Sequence, residues 1–163
     1  MGYLFHVKQW EEPMQLGLFD NPAPEEGTCQ CCGQKIKVYR RNIFSNMAYW
    51  LIRLVQINRD TDDWVHVGDL TLPSGRDAGS NGGAFSMLRY WGLIEPKMNR
   101  DKSKRCSGFW KPTNMGLNFV MRNDTVIKFC HTYNMQIMNW SGPEVDIVEC
   151  LGKRFDYEKL MSR

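Results

Sequence analysis

The amino-acid sequence predicts an α+β fold, and three observations carry that prediction. Apolar residues recur at three- and four-residue steps from Asn42 onward, the mark of a helix with one buried face. A hairpin with a long charged tip follows a short second helix between Gly92 and Pro112, and two alternating stretches close the chain from Thr125 to Asn139. A length of 163 residues with 42% hydrophobic and 24% charged residues suits one compact core with a small appendage.

Met1 to Thr28 contains Pro13, Pro22 and Pro24 among acids, with apolar residues in two short clumps, Tyr3–Val7 and Met14–Phe19. Residues 1–28 therefore read as an extended arm. Residues 29–41 read as a cysteine knuckle followed by a strand, because Lys35, Ile36, Lys37, Val38 and Tyr39 alternate with period two. In residues 42–122 the first helix carries Phe44, Met47, Ala48, Leu51, Leu54 and Val55 on one face, with Asn42 as its cap. Trp64–Val67 is a brief strand, and the glycines from Gly75 to Gly83 mark a loop. A short helix from about Gly83 to Trp91 buries Ala84, Leu88 and Trp91 and leaves Asn81, Ser86, Arg89 and Tyr90 outside. Thr113 caps a further helix with Met115, Leu117, Phe119 and Val120. Residues 123–163 read as a hairpin extension turned at Tyr133-Asn134, then Ser141-Gly142-Pro143, a short helix around Val145–Leu151 and a segment Phe155–Met161.

The net charge of +3 is too small to demand a polyanionic partner, so its distribution matters more. Residues 1–28 hold Lys8 against five acids, whereas Arg89 to Lys111 hold seven basic residues against Glu95 and Asp101. No apolar stretch approaches the ~18 residues that cross a bilayer, and no basic region followed by an apolar run opens the chain. A cytoplasmic protein with reduced cysteines is expected.

The order of helix, short strand, short helix ending Leu88-Arg89-Tyr90-Trp91-Gly92-Leu93-Ile94, charged hairpin, and Thr113-Asn114-Met115-Gly116 opening another helix resembles winged-helix transcription and replication factors. That resemblance implies a recognition helix in the major groove and a wing on the backbone. It places Asn81, Ser86, Arg89 and Tyr90 against bases and phosphates of double-stranded DNA, and Arg100, Lys102, Lys104 and Arg105 on phosphates. The glycine-rich stretch Leu72–Gly83 departs from the pattern, since it leaves the helix before the recognition helix shortened or replaced.

The arm segment Gln15-Leu16-Gly17-Leu18-Phe19 resembles the peptide by which bacterial polymerases and repair factors hold the sliding clamp, with Gly17 as the departure. The resemblance implies that Leu18 and Phe19 fill an apolar pocket, Leu16 a shallow neighbouring site, and that Gln15 hydrogen-bonds at the rim. The chain also looks like small phage- and prophage-encoded proteins, through Cys-x-x-Cys-Gly-Gln, Lys37-Val38-Tyr39-Arg40-Arg41 and the ending Leu151-Gly152-Lys153-Arg154-Phe155-Asp156-Tyr157. This implies a DNA-binding accessory role in replication, transcription or host takeover inside a bacterial host, or a protein-binding inhibitor or adaptor on the same fold.

Cys29-Gln30-Cys31-Cys32-Gly33 contains a Cys-x-x-Cys-Gly knuckle, half of a zinc-ribbon site, with Cys29 and Cys32 as candidate ligands. Cys106, Cys130, His131 and Cys150 form no second knuckle, so buried reduced thiols and a zinc shared across a dimer stay open beside it. His6 and His66 stand among apolar neighbours and are expected to pack. The six tryptophans suit core or hairpin packing, with Trp110 also offered for stacking on a base. No nucleophile motif, phosphate loop or spaced carboxylate pair points to an enzyme.

Overall fold

The computed structural model describes residues 25–80, 83–101, 103 and 107–162, and divides the chain into two units, Met1–Val38 and Tyr39–Arg163. The clamp-like segment Gln15–Phe19 and His6 lie outside the described residues.

The described part of the first unit is a hairpin. β1 (Gly27–Thr28) pairs antiparallel with β2 (Lys35–Ile36), Thr28 facing Lys35. The single strand expected through Tyr39 is instead two. β2 answers β1, whereas β3 (Tyr39–Asn42) belongs to the second unit, where Arg40 faces His131 on β7 (Val126–Tyr133). Alternation marks extended chain and is silent about its partner, which is why it ran the two together.

The second unit is α+β. α1 (Ser45–Thr61) buries Met47, Ala48, Leu51, Leu54 and Val55 as its period requires, and buries Tyr49, Trp50 and Ile52 as well. A helix apolar on most sides is a central one. It packs against β4 (Val65–His66), β6 (Phe109–Pro112), α2 (Asn114–Val120) and α3 (Ile147–Leu151). Two expectations about its start fail. Asn42 is held in the β3 ladder opposite Phe129 and cannot cap, so Phe44 occupies the N-cap without a side-chain bond and is itself 37% exposed. Of the buried polar groups of α1, Gln56 Nε2 donates to the Leu160 carbonyl at 2.7 Å, tying down α4 (Tyr157–Met161), whereas Asn46 Oδ1 and Trp50 Nε1 are buried without a hydrogen-bond partner among the described residues.

After β4 and a 3₁₀ turn at Val67–Asp69, the stretch 70–80 folds on itself through a Thr71–Asp77 bridge and an Ala78 N–H to Leu70 C=O bond of 2.9 Å. Buried Leu70, Leu72 and Ala78 pin it, and no helix forms among these residues. A second 3₁₀ helix, Phe85–Trp91, follows. The α-helical reading had Ala84, Leu88 and Trp91 as its buried face. Those three are buried, but the ridge that organises the helix is Phe85, Leu88 and Trp91, spaced by three as 3₁₀ geometry requires. The segment contains both periods, and the loop before it decides between them. Gly92 ends the helix at φ 67, with the Leu93 N–H reaching back to the Leu88 carbonyl.

β5 (Ile94–Pro96) then pairs with β6, and β6 with β4, giving a sheet ordered β4-β6-β5. α2 lies hard against the root of this hairpin. A Cβ added at Gly116 would stand 2.0 Å from the Leu93 carbonyl oxygen, so only glycine fits. Thr113 caps α2 as expected, its Oγ1 accepting from the Gly116 N–H at 3.0 Å and donating to the Gly92 carbonyl.

A second sheet, β3-β7-β8, includes the long strand β8 (Gln136–Val145). Its hairpin turns at Asn134-Met135, both at positive φ, one residue later than the sequence suggests. Ser141-Gly142-Pro143 is no turn but part of β8. Gly142 sits at φ 90 beneath the Phe129 ring, where a Cβ would come within 2.7 Å of it. Trp91 Nε1 donates to the Ile127 carbonyl at 2.7 Å and joins the 85–91 helix to this sheet. α3 is closed by a capping box between Asp146 and Glu149.

Candidate nucleic-acid interface

Three-residue periodicity puts Ser86 and Arg89 one above the other on the outer ridge of the 85–91 helix, opposite Phe85, Leu88 and Trp91. Arg89 is exposed, with its guanidinium 5.4 Å from the Tyr90 ring centre. That ring is half-buried against the core and supports the cation. The Ser86 hydroxyl donates to the Gly83 carbonyl at 2.6 Å, so its proton is committed to the backbone at the start of the helix. Asn81 lies outside the described residues.

At the hairpin tip Arg100 is exposed, while Lys102, Lys104 and Arg105 lie outside the described residues. Asp101 organises the approach to the tip. Its Oδ1 accepts from the Ser103 hydroxyl at 2.6 Å and the Ser103 N–H at 3.0 Å, bonds that hold its carboxyl below the ordinary range. Asn99 Oδ1 accepts from the Asp101 N–H at 3.1 Å.

The root of the hairpin adds groups that sequence reasoning did not select. Lys97 is exposed, with Nζ 5.5 Å from the Phe109 ring centre, and the Ser107 hydroxyl donates to its carbonyl. Met98 is 90% exposed. His66 is exposed too, not packed as expected: it stands edge-on to Phe109, and its Nδ1 accepts from the Gly68 N–H. Trp110 is unavailable to a base, because it is 3% exposed and meets Phe85 edge-on in the core. Strand parity puts its neighbour Phe109 outside instead, and that alternation was the available signal. Lys111 also leaves the basic cluster: Nζ donates to the Asp62 carbonyl at 2.9 Å, holding the end of α1.

In the hairpin of the first unit, Cys29 is half-buried and Cys31 and Cys32 are exposed. The Cys29 N–H donates to the Gln34 carbonyl and the Gly33 N–H to the Cys29 carbonyl, each at 2.8 Å, with Gly33 at φ 71. The backbone N–H groups of Cys31 and Cys32, then the Cys32 thiol, bond the Cys29 sulfur and lower its pKa from 9.0 to about 7. Cys130 and Cys150 are the opposite case. Burial pushes their thiols up to about 11 and about 12. Among the described residues no three His, Cys, Asp or Glu side chains gather as a metal site, and no helix is long and apolar enough to cross a membrane.

Comparison of the chain with protein-family models, with curated proteins and with solved structures found no match.

Proposed function

We propose that residues 42–122 are a winged-helix module that binds double-stranded DNA, in a phage-type accessory protein of replication or transcription. The observation that carries this reading is the sheet order β4-β6-β5 with the 85–91 helix inserted between β4 and β5. A helix feeding directly into a basic hairpin, itself closed onto the preceding strand, is what a recognition helix and wing require. The outer ridge of Ser86 and Arg89 supports contact with the duplex, Arg89 through paired donors suited to guanine or phosphate. Lys97 and Arg100, with the lysines and arginine of the tip sequence, supply phosphate contacts whose strength comes from counterion release. The clamp-like arm adds a tether in this reading, holding the module near replicating DNA.

The test is duplex binding measured across a salt series. Affinity should fall steeply with salt, Arg89→Ala should weaken binding about tenfold, and Arg100→Ala should flatten the salt slope by about one unit. Absence of binding at low salt would sink the proposal.

One observation favours a second reading, in which the same fold binds a host protein as an inhibitor or adaptor. Met98, at 90% exposure, and Phe109 put apolar surface at the wing root. In that case Met98→Ala weakens capture of the protein partner and Arg89→Ala leaves it unchanged.

A further inference from the structure

The central strand β7 of the β3-β7-β8 sheet turns Val126, Cys130 and Thr132 into the core, which leaves Phe129, His131 and Tyr133 half-buried on the opposite face. Register places Arg40 and Asn42 of β3 beside this row, and Gln136, Asn139 and Ser141 of β8 on its other side. None of these positions is a carboxylate, which suits a polyanion. The acid of β8, Glu144, lies beyond the register shift between Ile127 and Phe129, and its Oε2 accepts from the Thr125 hydroxyl at 2.9 Å. We propose that this face binds single-stranded DNA, with bases stacked along Phe129, His131 and Tyr133 and phosphates held by Arg40 and Lys128.

The rings are set for stacking. A strand rises about 3.4 Å per residue, so alternate side chains form a row with steps of about 6.8 Å. A Cβ at Gly142 would come 2.7 Å from Phe129 Cδ2, so the missing side chain lets that ring lean across onto β8. The Ser141 hydroxyl, 2.6 Å from His131 Nε2, fixes the next ring. Two cations flank the start of the row: the Arg40 guanidinium is 4.6 Å, and Lys128 Nζ 5.5 Å, from the Phe129 ring centre. Arginine stacks by its plane and donates by its edge, so Arg40 can rest on the ring and still hold a phosphate. Every base has a π-face, but a duplex hides those faces within its own stack, so only a single strand can use such a row. The choice of DNA over RNA rests on the duplex-binding reading of the same unit; the stacking face does not.

The test is fluorescence anisotropy of the full chain with a labelled oligothymidylate of about twelve nucleotides, which forms no duplex with itself. An abasic strand and an oligouridylate of the same length are the comparison probes. The thymidylate should bind, and the abasic strand should bind about tenfold or more weakly because it offers phosphates without bases. Phe129→Leu keeps an apolar group over Gly142 but removes the ring, and should weaken binding about tenfold, as should Tyr133→Ala. Arg40→Ala and Lys128→Ala should each flatten the salt slope by about 0.7. Unchanged circular dichroism shows that each variant is folded, and Arg40→Ala, an exposed position, keeps the test valid if a ring variant unfolds. No binding at low salt, equal affinity for the abasic strand, or binding lost in Arg89→Ala and kept in Phe129→Leu overturns the site. Uridylate bound about tenfold tighter than thymidylate overturns the choice of DNA. Strand binding without duplex binding leaves this site standing and removes the duplex reading, and the converse does the opposite.

Discussion

The hairpin at 25–38 and the unit from Tyr39 onward are both built on paired backbone, and they differ in how much side chain they enclose. The hairpin encloses no side chain fully, leaving Cys29, Ile36 and Val38 half-buried, and its turn is held by backbone bonds between Cys29 and Gln34 and between Gly33 and Cys29. The second unit encloses Trp50, Phe85, Leu88, Leu93 and Phe119 almost completely, each side chain contributing about 1.5–3 kcal/mol by leaving water. Local geometry suffices to make a reactive group, whereas a unique fold requires enclosure.

Thiol chemistry gives the largest expected contrast. At pH 7 Cys29 should react with iodoacetamide about a thousandfold or more faster than Cys130 or Cys150, because it is partly exposed and about half ionised while they are neither. Its rate should rise between about pH 6 and 8 and then level. Peptide mapping of the labelled protein checks this, and equal labelling of all three would erase the distinction. Next in size is Gly116→Ala. The added methyl meets the Leu93 carbonyl, and separating α2 from the hairpin root should cost about 3 kcal/mol, read as a lower urea midpoint. Cys29 labelling should be unaffected, and an unchanged midpoint would show that the contact relaxes freely.

A smaller effect concerns the arm, whose sequence predicts a function that needs no fold of its own. A peptide of residues 11–22 should bind purified bacterial clamp, with Phe19→Ala weakening it about tenfold. An inert peptide removes the tether. The smallest is an alkaline drift. Cys130 and Cys150 hold their protons more tightly when folded, so the folded state binds more protons than the unfolded chain above about pH 9. Their contribution is complete below that pH and declines as pH rises toward 11 and 12. Urea midpoints from pH 8 upward should fall accordingly, and Cys150→Ala should make the fall shallower.

The sequence exposes the elements whose signals are local. The core face of α1, the Thr113 cap, the short α3 and the basic hairpin all follow from period, capping chemistry or composition. What it conceals depends on partners. Nothing near Val38 says that β2 and β3 serve different sheets, and Asn42 has the right chemistry for a cap until β7 claims its backbone. At the candidate site, the exposure of Arg89 on the 85–91 helix and of Arg100 near the hairpin tip was legible because a long charged side chain in a basic segment needs no tertiary information to stay in water. Lys97 and Phe109 were missed, and Trp110 misjudged, because which side of a two-residue alternation faces water is set by β4 across the sheet.

The 3₁₀ form of the 85–91 helix has a further consequence. At about 2.0 Å of rise per residue its seven residues reach about 14 Å, against about 10.5 Å for an α-helix of the same length. Ser86 and Arg89 are then about 6 Å apart along a nearly straight line, where an α-helix would rotate one past the other. A straight row of side chains acts as a ruler. In the proposed DNA-binding reading, such a row would contact neighbouring steps of a groove on one side only.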